Sequence, residues 1–373
     1  MAVDDRQELE VASAAPVQAG DSGAGALGLD LALMTPAVTR DYAPRPPSAT
    51  YAALDLGTNN CRLLIARPAH HGFRVVDAFS RIVRLGEGLG ASGRLGEAAM
   101  DRAVEALKIC RGKMTNRGVT RARLVTTEAC RAAANGLDFV RRVAIEADLQ
   151  LEIVDQRTEA SLAVSGCAAL VDPAAEGVIV FDIGGGSTEI VWMGGRAQGR
   201  DPASRIREWA SLPIGVVTVA ERYGGIDVGR ELFERMVDDC TLALAPFAAK
   251  AAGARTAKNF HLLGTSGTVT TVAGIHLGLA RYDRRVVDGL WMRQEDILTV
   301  IDQLIEMDYA ARAANACIGR ERADLVLAGC AIFEAIRRAF PSDRVRIADR
   351  GLREGILLRM MHEDRAWWRG KPA

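Results

Sequence analysis

Two short stretches of this chain carry residue types suited to phosphate chemistry. The first is Asp55-Leu56-Gly57-Thr58-Asn59-Asn60 and the second is Asp182-Ile183-Gly184-Gly185-Gly186-Ser187-Thr188. Glycine lacks a Cβ and tolerates positive φ, so backbone N–H groups can converge on one anion. Thr58, Ser187 and Thr188 add hydroxyl donors, and Asn59 and Asn60 add amides. Asp55 and Asp182 each close an apolar run, where a carboxylate is costly unless something neutralises it. A divalent metal, or a water positioned near phosphate, would be such a partner. The plainer alternative is a pair of hairpin turns, since Asp-Gly and Gly-Gly are ordinary turn residues. Repetition weighs against it: each loop follows an apolar run (51–54 and 178–181) and precedes another (63–66 and 190–193). The spacing matches neither the dinucleotide fingerprint nor the Walker loop.

The elements that must hold these loops can be read from hydrophobic period. Before the second loop, 51–54, 62–67 and 73–79 read as strands. Met100, Ala103, Val104, Leu107, Cys110 and Met114 share one face of a helix over 97–117. A strand at 121–126, a helix at 137–147 and a strand at 151–154 follow. The second loop opens a similar series: strands at 178–181, 189–193 and 207–212, then a helix at 230–250 with Phe233, Met236, Val237, Cys240, Leu244 and Phe247 on one face. A strand at 261–263, helices at 295–307 and 322–339, a strand at 344–347 and a final helix complete it. The pattern is a duplicated α/β unit, each copy opening on an acidic glycine loop.

Composition bounds the function. The chain has 373 residues, enough for two domains with sizeable cores. Lys plus Arg and Asp plus Glu are both 47, so no basic field favours nucleic acid, and 5% aromatics give no stacking stripe. No apolar run reaches the ~18 residues of a membrane span. The acidic start, Met1-Ala2-Val3-Asp4-Asp5, argues against a secretory signal. Seven dispersed cysteines without C-x-x-C read as reduced thiols in a cytoplasmic protein, most of them small core residues. His70-His71 would point to opposite sides of a strand, which does not favour a zinc site. Residues 1–47, rich in Ala, Gly, Ser and Pro, read as a mobile tail.

With these residues in view, the chain resembles the exopolyphosphatase / guanosine pentaphosphate phosphohydrolase (Ppx/GppA) family of the actin-like ATPase superfamily. The two loops, the first with Arg62-Leu63-Leu64 and the second with Glu189, look like that family's phosphate loops. The likeness continues at Arg84-Leu85-Gly86-Glu87-Gly88-Leu89, Thr126 to Arg131, Asn135 and Ser211-Leu212-Pro213-Ile214-Gly215. It extends through Gly264-Thr265-Ser266-Gly267-Thr268, Glu321-Arg322-Ala323-Asp324 and Asp349 to Gly355.

The resemblance implies two actin-like (ribonuclease-H-like) α/β domains with a cleft between them. These would span 48–157 and 158–352, with a hinge near 155–160 and a last helix, about 353–370, packing back on the first. It implies a catalytic glutamate in the segment Arg157-Thr158-Glu159-Ala160-Ser161, where Glu159 matches. Thr158 and Ser161 depart from the family's Glu-Glu-Ala-Arg, and Asn60 stands where a serine hydroxyl is common. On sequence alone the preferred reading of Glu159 is a solvated glutamate at a helix start; the resemblance reverses that preference. The resemblance further implies Mg²⁺ on Asp55 and Asp182, phosphate binding by Arg131, and softer phosphate roles for Arg62 and Arg84. Gly264, Thr265, Ser266, Gly267 and Thr268 would face a nucleotide or close the cleft floor.

The implied reaction is hydrolysis of a terminal phosphoanhydride, on inorganic polyphosphate or on guanosine pentaphosphate, with neither nucleic acid nor membrane as partner and a homodimer left open. A superfamily kinase and a non-catalytic alarmone-binding protein are the rivals; the presence of Glu159 counts against the second. The chain ends soon after the last motif, so the extra C-terminal helical domains of longer members are expected to be absent, which leaves chain-length preference open.

Overall fold

The computed structural model describes residues 9–10, 49–70, 72–195 and 202–366. The expected tail, apart from Leu9–Glu10, lies outside the described residues, as do His71 and the end of the expected final helix.

The strands are β1 (Leu9–Glu10), β2 (Tyr51–Leu56), β3 (Asn60–Ala69), β4 (Gly72–Ile82), β5 (Arg121–Thr126) and β6 (Glu152–Ile153) in the first half. The second half contributes β7 (Gly177–Ile183), β8 (Thr188–Gly194), β9 (Ile206–Leu212), β10 (His261–Thr265), β11 (Trp291–Arg293) and β12 (Arg344–Ala348). They form two sheets of order β1-β4-β3-β2-β5-β6 and β11-β12-β10-β7-β8-β9. Setting the edge strands β1 and β11 aside, the two orders are the same. A three-strand antiparallel meander (β2–β4, β7–β9) is extended from its first strand by parallel strands (β5 and β6, β10 and β12). This is the duplicated α/β architecture that the sequence implied.

Parallel extension needs crossover helices, and these carry the faces seen in the sequence. Helix Glu97–Asn116 buries Met100, Ala103, Val104, Leu107, Cys110 and Met114 on the first sheet. Helix Arg230–Lys250 buries Phe233, Met236, Val237, Cys240, Leu244 and Phe247 on the second, and runs through Pro246 without ending. Central β2 and β7 are nearly continuous apolar runs because both faces are covered.

The two halves exchange helices at their junction. Helix Gln156–Cys167 follows the first sheet, yet Ala160, Val164 and Cys167 pack on the second with Val178, Val180 and Val191. The last helix, Leu352–Glu363, follows the second sheet but packs Leu352, Ile356, Leu357, Met360 and Met361 on Tyr51, Ala53, Leu64 and Ala66 of the first. The two helices cross at glycines. A Cβ at Gly166 would lie 2.0 Å from the Gly351 carbonyl oxygen, and one at Gly355 would lie 1.9 Å from that of Leu162. Only glycine permits that approach.

The structure differs from the sequence reading in several places, among them the short helices Leu89–Ser92, Glu128–Ala132, Arg284–Val287 and Tyr309–Ala314, which no period marked. The helix expected over 322–339 begins at Val326, because Glu321–Leu325 forms turns. Helices Val216–Tyr223 and Gly267–His276 were not anticipated; both are short and open on glycine-rich segments that read as loops. The edge strand β11 has three residues, too few to show a period.

Candidate active site

The two glycine loops are the same turn used twice. Gly57 donates its N–H to the Asn60 carbonyl at 2.9 Å, and Gly184 donates to that of Ser187 at 2.9 Å. Asn60 therefore occupies in the first loop the place of Ser187 in the second. The hairpin registers pair Asp55 with Arg62 and Asp182 with Glu189.

Each loop is oriented by its carbonyls. Val216 and Val217, opening a helix, donate to the Gly184 and Gly185 carbonyls at 2.9 and 2.8 Å. In a trans peptide the N–H points opposite to the C=O, so the N–H groups of Gly185 and Gly186 face the cleft. Gly86 donates to the Thr58 carbonyl at 2.9 Å, which turns the Asn59 N–H the same way. These three N–H groups donate to no backbone group among the described residues.

The loops meet face to face. A Cβ on Gly185 would lie 2.9 Å from Thr58 Cβ and 3.1 Å from Asn59 N, and one on Gly186 would lie 2.9 Å from Thr58 Oγ1. Between them lies a cavity of about 130 Å³ lined by Asp55, Gly57, Thr58, Asn59, Asn60, Arg62, Asp182, Gly184, Gly185, Gly186, Ser187, Glu189 and Glu159, with Ser266, Gly267 and Thr268 on its floor. A second cavity of about 350 Å³ shares Asp55, Arg62, Asp182 and Arg322 and adds Thr265, Tyr282 and Arg353.

Five carboxylates line this space: Asp55, Glu128, Glu159, Asp182 and Glu189. Burial pushes Asp55 above the usual range, against the pull of Arg62. Burial also raises Asp182, to about 6, with Asp55 adding to the effect. Glu159 is raised by burial and then by the charge of Glu189, while Arg131 works against both. Glu189 is raised by burial and by Asp182, and it accepts from Ser187 Oγ at 2.9 Å and Ser211 Oγ at 2.8 Å. Arg62, Arg131 and Arg353 offset these carboxylates only in part, and a divalent cation fits the remaining deficit. Asn59 Oδ1, buried in the same wall, has no hydrogen-bond partner and offers a further hard oxygen. Among the described residues no group of three or more His, Cys, Asp or Glu side chains is placed to hold a metal ion. An ion would therefore take Asp55 and Asp182 and fill its shell from phosphate and water, the usual habit of Mg²⁺.

Glu159 sits in the first turn of its helix. Asp155 caps that helix, accepting from Thr158 N at 2.7 Å. Glu159 Oε2 accepts from Arg131 Nη1 at 3.0 Å, and that nitrogen also donates to the Val154 carbonyl at 2.8 Å. Arg131 Nε and Nη2 both donate to Glu128 Oε2, at 3.1 and 2.5 Å. Arg131, expected as a phosphate ligand, is thus placed behind Glu159 and outside the cavity lining.

Other expected residues are also placed elsewhere. Thr188 turns its hydroxyl away, onto the Ile214 carbonyl at 2.6 Å. Gly264 packs against the Phe181 ring rather than on the floor. Thr265 lines the second cavity and donates to the Arg350 carbonyl at 2.8 Å. Arg84 lies outside both cavity linings, paired with Asp324. Glu189 and Glu128 line the cavity and were not singled out as site residues from sequence. For Glu189 a signal existed: the repeated hairpin sets it opposite Asp182 as Arg62 is set opposite Asp55.

The comparisons with known proteins agree with this geometry. The pattern of the Ppx/GppA phosphatase family matches residues 64–364. The crystal structure of the Aquifex aeolicus Ppx/GppA family member is 28% identical with a TM-score of 0.70, covering 85% of this chain and 99% of that one. An exopolyphosphatase-like protein is 28% identical with a TM-score of 0.73, covering 84% of this chain and 99% of that one. An exopolyphosphatase from Cytophaga hutchinsonii, 24% identical, shares the fold with a TM-score of 0.76 and covers 86% of this chain and 100% of that one. Carrying the family's pattern along most of its length, and two facing glycine loops over a buried acid cluster, the chain belongs to the Ppx/GppA phosphatase family.

Proposed function

We propose that this protein hydrolyses the terminal phosphoanhydride of inorganic polyphosphate. The observation that carries the reading is the placement of Glu159 in the wall of a cavity formed by the two facing glycine loops. The end phosphate lies between the loops, with the N–H groups of Asn59, Gly185 and Gly186 on its non-bridging oxygens. Glu159 orients a water in line with the leaving oxygen and takes its proton as the P–O bond forms. Arg131, fixed by Glu128 and the Val154 carbonyl, holds the Glu159 carboxylate in position. Mg²⁺ held by Asp55 and Asp182 would neutralise charge on the phosphoryl oxygens when bound. The products are orthophosphate and a chain one unit shorter.

The second cavity, whose wall carries Arg62, Arg322, Arg350 and Arg353 beside Asp55, Asp182, Asp349 and Glu354, gives room for a substrate that continues past the scissile bond. Guanosine pentaphosphate continues past that bond too and is the alternative substrate. We place the domain boundaries at 48–157 and 158–352, with the last helix belonging to the first domain.

The test is phosphate release measured side by side on long polyphosphate, short polyphosphate and guanosine pentaphosphate, with Mg²⁺ and with chelator. Release from polyphosphate that chelation abolishes supports the reading. Release from guanosine pentaphosphate alone selects the alternative, and full activity in chelator removes the metal from the account. No helix among the described residues is long and apolar enough to cross a membrane.

A further inference from the structure

Two of the sequence motifs, Arg84 to Leu89 and Glu321 to Asp324, are not used by the reaction described above except through Arg322, which lines the cavities. They belong to opposite halves of the molecule, and the structure brings them together beside the cleft. Arg84 Nη1 donates to Asp324 Oδ2 at 2.9 Å and Arg84 Nη2 to Asp324 Oδ1 at 3.1 Å, a two-point fork. Nη2 also donates to the Glu321 carbonyl at 3.0 Å. Four residues on, Gly88 N–H donates to Glu221 Oε1 of the second half at 2.9 Å.

The same segment holds the first glycine loop from behind. Val83 N and Arg84 N donate to the Asn59 carbonyl at 2.8 and 3.0 Å, and Gly86 N donates to that of Thr58. A Cβ at Gly86 would come within 2.2 Å of Thr58 Cγ2, so the contact is close. On the other side, Asp324 sits in the turn that supplies Arg322 and Leu325 to the cavity lining. Arg84 has φ +47°, a left-handed conformation that non-glycine residues seldom adopt. A strained residue is retained where its surroundings over-determine it. Here they do: its backbone N–H is fixed to the loop and its guanidinium to the opposite wall.

We propose that the Arg84–Asp324 pair is a latch that holds the cleft closed and, through the backbone of Arg84, keeps the first phosphate loop in register with the second. In functional terms this rests on the phosphohydrolase reading, and it makes Arg84 and Asp324 positioning residues. Arg84 does not bind phosphate. If closure precedes tight binding, apparent affinity falls with the closed fraction, while saturating substrate restores closure. The signature is a change in KM with kcat preserved.

The test is a double-mutant cycle with Arg84→Asn, which tolerates positive φ, and Asp324→Asn, which keeps the side chain's shape. Steady-state kinetics on the hydrolysed substrate are measured at low and high salt, with small-angle scattering of the substrate-free proteins. Each single variant is expected to raise KM about threefold to tenfold, the size of a partly exposed two-point ion pair. Meanwhile kcat stays within about twofold. The double variant is no worse than the worse single, salt raises KM more steeply in the wild type than in the variants, and the variants show a larger radius of gyration. Unchanged KM and radius of gyration in both singles, additive effects in the double, or a fall in kcat at constant KM would overturn the latch. Scattering needs no turnover, so a wild-type chain that released no phosphate would refute the phosphohydrolase reading alone and leave the latch to be judged on compactness.

Discussion

Glu159, Glu189, Asp55 and Asp182 share one buried space, and their chemistry depends on how little water and how much positive charge reach them. A carboxyl raised on folding binds protons more tightly in the native state than in the unfolded one. Stability is then greatest below its ordinary pKa and is lost as pH rises through the native value. For Asp182 that window runs from its ordinary 3.8 to about 6. A bound divalent cation removes the penalty, so Mg²⁺ is expected to raise the melting temperature more at pH 7.5 than at pH 5, by a few degrees on the order of the 1 kcal/mol scale. A thermal melt series with and without Mg²⁺ checks this; equal gains at both pH values would contradict it. The glycines of the second loop make a separate prediction. Gly185→Ala places a methyl against Thr58 and pushes the loops apart. Phosphate release is expected to fall about 10²-fold, the cost of ~1 Å misplacement at a reacting centre, while the fold persists by circular dichroism.

At the scale of elements, the strands and the long crossover helices were legible because hydrophobic period reports which face is buried, as it does over Met100 to Met114. The acidic loops were legible because the same strand, acidic glycine turn and strand occur twice, which an ordinary hairpin turn does not require. The placement of Arg131 was not, because its fork pairs with Glu128 and Glu159, contacts that depend on tertiary placement. Helix Gln156–Cys167 illustrates a related limit: a helix start was readable, but its Asp155 cap and the sheet it covers were not. Its crossing with helix Leu352–Glu363 rests on glycine, and Gly355→Val would drive a side chain into the Leu162 carbonyl. The expected cost is about 3 kcal/mol, since the obstruction is backbone and cannot swing aside. Denaturant unfolding checks it, and a variant of wild-type midpoint would show that the helices can separate freely.

For the whole molecule, duplication explains the site. Two sheets of the same strand order each present one acidic glycine loop, so facing the copies builds a symmetric cradle. The halves have since diverged where chemistry requires it: Arg62 in one hairpin stands where Glu189 stands in the other. Glu159 enters from the helix that joins the halves, so base and cradle are assembled only when both are in place. The central claim is that this glutamate is the base. Its most direct test is single-turnover phosphate release by Glu159→Gln alongside substrate binding by the same variant. The account predicts binding within a few-fold of wild type and release slower by about 10²–10⁴-fold, the usual contribution of a positioned general base. Release at the wild-type rate would contradict it.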